Sequence, residues 1–233
     1  MGANGITDPE RKMLLEQWER VTFRIFGLFS KDSRTKVGDY VRMAAKIVAE
    51  DLEMRTYNQI MGGLHLLGAD YPIDGAVAEG LIEKNCYERS PETCRYILWL
   101  YEEHLAETLG CAATIDEQER SEIWSRRAVD SVEHIFPQNP GPNSPWRNQM
   151  HRSGGTEEPL VRHVGRIGNL ILLPTVVNQE ATNRPFQEKK ELYARHNLRM
   201  VQEVCTTKMW TPEQVEEREK RIVEWAKTRW CDK

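Results

Sequence analysis

Through its first 110 positions the chain repeats apolar residues at helical spacing and nowhere alternates them as a strand would. From Pro9 to Ser30 it carries Leu14, Leu15, Trp18, Val21, Phe23, Ile25, Phe26 and Phe29, an apolar surface broad enough for a buried helix. A second helix is expected from about Thr35 to Asp51, with Val37, Tyr40, Val41, Ala44, Ile47 and Val48 turned inward. Shorter helices are expected at Tyr57 to Leu67 and at Asp74 to Lys84. The best-marked helix begins at Ser90, where a capping hydroxyl, Pro91 in the first position and Glu92 in the first turn stand together. Ile97, Leu98, Tyr101, Leu105 and Leu109 supply its apolar face, and Gly110 suits its end. This half has no repeat and no Gly-rich phosphate loop closing on Lys-Ser or Lys-Thr, so it reads as a helical scaffold over residues 1–110.

From Ala112 the pattern changes. A short helix to about Arg127 leads into Val129-Asp130-Ser131-Val132-Glu133-His134-Ile135-Phe136-Pro137-Gln138. A loop dense in turn formers follows from Asn139 to Pro145, then a Gly-rich stretch near Ser153 to Thr156. The run Ile167-Gly168-Asn169-Leu170-Ile171-Leu172-Leu173-Pro174 is short, apolar and bounded by Gly and Pro, as a buried strand would be. A helix is expected from about Pro185 to His196. A last one opens at Thr211-Pro212-Glu213 and packs back through Val215, Ile222, Val223, Trp225, Ala226 and Trp230.

With 233 residues, 29% charged and 39% hydrophobic, the chain has the make-up of a globular protein. No run approaches the length of a membrane span, and the N-terminus lacks a signal-peptide pattern. The five cysteines form no C-x-x-C pair, which argues against a disulfide framework and a cysteine-held zinc. A cytoplasmic, reduced protein is the expectation. The net charge of −4 conceals a segregation: between Trp146 and Met200 there are nine Lys or Arg against five Glu. Such a division suits one face that meets phosphates and another that is solvated, although chance clustering gives the same count.

Strand, polar loop, strand and helix is the order of a ββα-metal nuclease, in which a base activates water and a cation neutralises charge on the phosphate. Glu133 and His134 are neighbours in a strand and so point to opposite faces, unless the strand ends there, as Pro137 suggests. The segment Ser131 to Gln138 resembles the first part of a His-Asn-His (HNH) nuclease. Gly168-Asn169-Leu170-Ile171-Leu172-Leu173, with Asn178, Asn183 and Phe186-Gln187-Glu188-Lys189, resembles the second. Together with Trp210-Thr211-Pro212, Arg218, Ile222 and Trp230 they are similar to the C-terminal nuclease domain of the GmrSD/SspE type of modification-dependent restriction proteins.

That resemblance implies a mainly α protein: a helical N-terminal half, then a ββα-metal domain over residues 111–233 with a C-terminal helix. It implies a Mg²⁺- or Mn²⁺-dependent DNA endonuclease or nickase of bacterial antiphage defence. Its partner would be an N-terminal nucleotide-hydrolysing sensor domain that this sequence lacks, unless the chain is a stand-alone relative. His134 would be the general base and Asn169 the residue that braces its loop. Glu133, in place of the usual Asp, and Asn178 would be the metal ligands. Arg184, Lys189 and Lys190 would hold phosphates, with Asn183 and His163 as secondary candidates and His151 beside them. Each position also has a plainer reading: Asn169 as a turn residue, Asn178 and Asn183 as helix caps, Lys189 and Lys190 as a solvated helix face, His163 and His151 as loop surface. His196 is explained by a helix C-terminus, and His65 and His104 have no role. The competing functions are a ribonuclease and a catalytically silent module that grips nucleic acid or a partner.

Overall fold

The computed structural model describes residues 5–83, 85–110, 117–149 and 161–232. The chain forms two compact units: Met1–Glu83 with Trp225–Lys233, and Lys84–Glu224. Among the described residues no helix is long and apolar enough to cross a membrane.

The first unit is helical. Helix α1 (Asp8–Thr22) starts at a capping box, Thr7 with Glu10, and continues as a wider-turned segment, Phe23–Leu28. Helix α2 (Val37–Val48) follows. Helix α3 (Tyr57–Gly68) opens on a second capping box, Thr56 with Gln59, and α4 (Ile73–Val77) runs on into Ala78–Glu83. The core is Val21 and Ile25 against Leu64 and Leu67. A Cβ at Gly68 would lie 2.3 Å from Nη2 of the buried Arg24, so a larger residue there would displace that guanidinium. That guanidinium donates to the Trp230 carbonyl (3.1 Å) and to Asp232 (2.8 Å). The inward turn expected of α2 holds for Tyr40, which packs half-buried against that core, and is corrected for Val37, Val41 and Val48. None of its residues is fully buried, and Val41 and Val48 are 60% and 83% exposed. It packs on α3 without being enclosed by it.

The second unit holds α5 (Cys86–Arg89), α6 (Pro91–Thr108), α7 (Glu117–Trp124), α8 (Ala128–Ser131), β1 (Val132–His134), α9 (Trp146–Gln149) and α10 (Val161–Val164). After these come β2 (Leu170–Leu172), α11 (Thr175–Ala181), α12 (Phe186–Tyr193), α13 (Arg199–Cys205) and α14 (Pro212–Arg229), of which residues 225–229 belong to the first unit. Strands β1 and β2 are antiparallel, pairing Val132 with Leu172, Glu133 with Ile171 and His134 with Leu170. Every residue of both strands is buried, with α6 packed on both and α13 on β2. That packing places α6 with the sheet in the unit Lys84–Glu224.

Three buried polar contacts lock this unit. Glu102 of α6 accepts the backbone N–H groups of Arg199 (2.6 Å) and Met200 (2.8 Å), satisfying the start of α13, which has no side-chain cap of its own. Arg218 of α14 donates to the carbonyls of Gly168 (3.0 Å) and Leu170 (2.7 Å). Gly168 permits that approach, because a Cβ would stand 2.0 Å from the Val215 carbonyl oxygen. The thiols of Cys86 and Cys94 meet at 2.7 Å in the interior, while Cys111 lies outside the described residues.

Candidate active site

Tyr87, Asp130, His134, Asn178 and Asn183 border a polar cleft of about 340 Å³ in the second unit. The hairpin places His134 at its wall. The imidazole is only 7% exposed, and Tyr87 of α5 meets its ring edge to face, with centroids 4.3 Å apart. Its Nε2 has no hydrogen-bond partner among the described residues. Burial, helped by the positive charge of Lys189, pushes the His134 pKa down to about 3. The imidazole is therefore neutral at ordinary pH, with a lone pair available on one nitrogen.

Asn169, in the turn Ile167–Asn169 before β2, is wholly buried and fully bonded. Its Oδ1 accepts from the Phe136 N–H (2.8 Å) and the Trp210 indole N–H (3.0 Å). Its Nδ2 donates to the carbonyls of Phe136 (2.9 Å) and Val164 (2.8 Å). The Asn169 carbonyl also accepts from Ile135 N–H at 3.0 Å, so the backbone following His134 is tied on both sides. Beneath it runs an aromatic chain, Phe136 to Trp146 to Phe186 to Trp210, with successive centroids 5.6, 5.9 and 5.9 Å apart.

Glu133 contributes to the cleft wall, yet its carboxylate is bound toward α12. Oε1 accepts from Lys189 Nζ (2.6 Å) and from the Tyr193 hydroxyl (2.8 Å). Adjacent strand residues diverge, so the acid and the imidazole part company here. Burial raises the Glu133 pKa and lowers that of Lys189, each opposed by the other's charge. Tyr193 is held protonated by burial and by that carboxylate. The expected phosphate role of Lys189 is corrected. Its ammonium is fully buried and donates to Glu133 and to the His134 carbonyl (2.7 Å), so it holds the strand from within.

The remaining candidates are scattered. Asn178, at the cleft, donates through Nδ2 to the Asp130 carbonyl (3.0 Å), leaving Oδ1 without a protein partner among the described residues. Asn183 is exposed at the cleft, and Pro185, not Asn183, occupies the cap position of α12. Arg184 is exposed beside Glu188 (3.6 Å). Lys190 donates to the Thr207 carbonyl (2.7 Å) and so turns from the cleft. His163 is buried 3.6 Å from Glu216, which corrects its reading as loop surface near a phosphate. His151 lies outside the described residues. His196 pairs with Glu119 at 3.1 Å, a specific partner where a helix end was the expected explanation. Sequence reasoning missed Tyr87, in a stretch assigned to the scaffold, and Asp130, which reads as part of a strand.

A neutral imidazole with a free nitrogen, set at a polar cleft beside amide and carboxylate groups, is the equipment of a hydrolase. The family "GmrSD restriction endonucleases, C-terminal domain" matches residues 71–225, well over half of the chain, and the chain belongs to it. No curated protein and no solved structure matches the chain.

Proposed function

We propose that this chain is a metal-dependent HNH endonuclease that hydrolyses phosphodiester bonds in DNA, the effector of a bacterial restriction system directed at phage. Membership of a restriction endonuclease family supports the substrate class. The observation that carries the chemistry is His134, a residue of the cleft wall that is buried and neutral, with its Nε2 buried and unbonded among the described residues. In this reading Nε2 takes a proton from water as the water oxygen bonds to phosphorus. The bond from phosphorus to the departing oxygen breaks, and that oxygen takes its proton from solvent. Asn169 acts through the backbone of Phe136, fixing where His134 sits. Arg184 is the basic side chain exposed near the cleft for a flanking phosphate.

Among the described residues no three His, Cys, Asp or Glu side chains gather into a metal cage. The cleft's donors instead suit a hard cation held by few protein oxygens, with Asn178 Oδ1 one of them. Mg²⁺ or Mn²⁺ bound there supplies charge neutralisation at the phosphate. One such centre cuts one strand per event, so nicking is the first product expected. The test is supercoiled plasmid incubated with Mg²⁺, Mn²⁺ or EDTA, using wild type and His134→Ala. Metal-dependent relaxation should be lost in the variant while DNA binding is kept. Undiminished cutting by His134→Ala overturns the mechanism, and cutting of structured RNA in preference to plasmid makes the chain a ribonuclease.

A further inference from the structure

We infer that Tyr87 is a positioning residue of this site, whose ring, set edge to face against His134, fixes the direction in which the imidazole points; the role rests on the reading of His134 as the general base.

The backbone of His134 is held from several sides. Its carbonyl accepts from Lys189 (2.7 Å), the residue pairs with Leu170 across the hairpin, and the N–H of the following Ile135 is bound to the Asn169 carbonyl (3.0 Å). None of these contacts reaches the ring. Rotation about the bond that joins an imidazole to its Cβ has broad minima. A functional histidine is commonly oriented by a hydrogen bond on its second nitrogen. His134 has no such bond among the described residues: neither ring nitrogen is paired with any of them. What the imidazole does meet is the Tyr87 ring, at a centroid distance of 4.3 Å and an interplanar angle of 83°. An edge-to-face pair has a preferred geometry, so it supplies the direction that a hydrogen bond supplies elsewhere.

Tyr87 is itself anchored, and not by its hydroxyl. It stands in the single turn α5, which Asn85 caps by accepting from the Glu88 N–H (3.3 Å). The Tyr87 N–H donates to the Gly165 carbonyl (3.3 Å). Gly165 also lets the cap come close, since a Cβ there would lie 1.8 Å from Asn85 Oδ1. The adjoining Cys86 is buried, with its thiol against Cys94 of α6. The phenol hydroxyl bonds to no described residue. Burial raises its pKa, so the ring meets the imidazole without a charge. The ring is therefore what this turn delivers to the cleft that both residues border.

The test is plasmid cleavage by the full chain in Mg²⁺ over a range of DNA concentrations, with NMR of the histidine ring C–H groups on the same proteins. The His134 signal is the one missing from His134→Ala. Tyr87→Leu removes the aromatic ring and keeps an apolar side chain. Its kcat should fall at least about tenfold while KM stays within about twofold, and its His134 signal should leave the ring-shifted position. Tyr87→Phe keeps the ring and should return kcat, KM and the signal to near wild type. Where the leucine variant fails to fold, Tyr87→Met, a more adaptable filler, carries the same comparison. Wild-type kcat without the ring overturns the inference. So does a Tyr87→Phe as impaired as Tyr87→Leu, which moves the role to the hydroxyl, and so does a raised KM at unchanged kcat, which makes Tyr87 a DNA contact. A wild type that never cuts plasmid overturns the nuclease reading. The His134 signal then decides the ring contact alone: a shift in Tyr87→Leu and none in Tyr87→Phe upholds it, and no shift in either overturns it.

Discussion

With burial on one side and the Lys189 charge on the other, His134 stays neutral far below the pH at which a solvated imidazole takes up a proton. The linkage has a definite sign. Between the ordinary value of 6.5 and the folded value of about 3, the unfolded chain binds a proton that the folded chain refuses. Stability from this residue is therefore full above 6.5 and is lost progressively as pH falls toward 3. The slope can reach about 1.4 kcal/mol per pH unit. Urea unfolding of the metal-free protein across that range should show the slope in wild type and not in His134→Asn; parallel curves would mean that the imidazole is solvated. Asn169 makes a complementary case. Asn169→Ala removes four hydrogen bonds and leaves the partners on Phe136, Val164 and Trp210 buried without replacement. A loss of about 2–4 kcal/mol is expected in denaturant unfolding, with cleavage abolished. A loss under about 0.5 kcal/mol would show that water fills the gap without penalty.

At the scale of elements, the turn before β2 and helix α14 touch backbone to backbone through Gly168, whose Cβ would fall 2.0 Å from the Val215 oxygen. No flexible side chain is there to yield. Gly168→Ala should therefore cost about 1–3 kcal/mol of stability, measured as a lower urea midpoint at unchanged slope; a midpoint equal to wild type would mean that α14 shifts freely. Such contacts also explain what the sequence could disclose. The Ser90–Pro91 start of α6 and the Thr211–Pro212 start of α14 were legible because the cap, the proline and the first acid all lie within four residues. Helices α11 and α13 were not, since their cap positions, Pro174 and Leu198, offer no side-chain cap, and α13 is capped by Glu102 from about a hundred positions away. Periodicity in α2 marked which face is apolar but not whether a partner covers it. The acid–imidazole pair and Asn169 were legible as a motif. The burial of Lys189 was not, because its partner Glu133 stands 56 residues earlier, and Val-Asp-Ser-Val reads as alternation where the chain makes a helical turn that presents Asp130.

At the scale of the whole chain, every residue placed at the cleft, together with Asn169, Glu102 and Arg218, belongs to Lys84–Glu224. That stretch has the length of an ordinary single domain and contains both strands and the part of α14 that carries Arg218. The other unit is assembled from two distant parts of the chain. Its buried Arg24 depends on the carbonyl of Trp230 and the carboxylate of Asp232, and Trp230 stacks on Phe23 at 4.5 Å. Dividing the chain after Glu83 and after Glu224 should therefore act unequally on the two units. Residues 84–224 alone should unfold cooperatively and keep His134-dependent plasmid cutting. Residues 1–83 alone should lose fixed tertiary structure, because removing 225–233 leaves a guanidinium buried without its acceptors. Near-ultraviolet circular dichroism and urea titration of the two fragments check both halves of the expectation. A cooperative transition in 1–83 would show that Arg24 does not need residues 225–233, and the lack of one in 84–224 would show that the site depends on more of the chain than the contacts within its own unit.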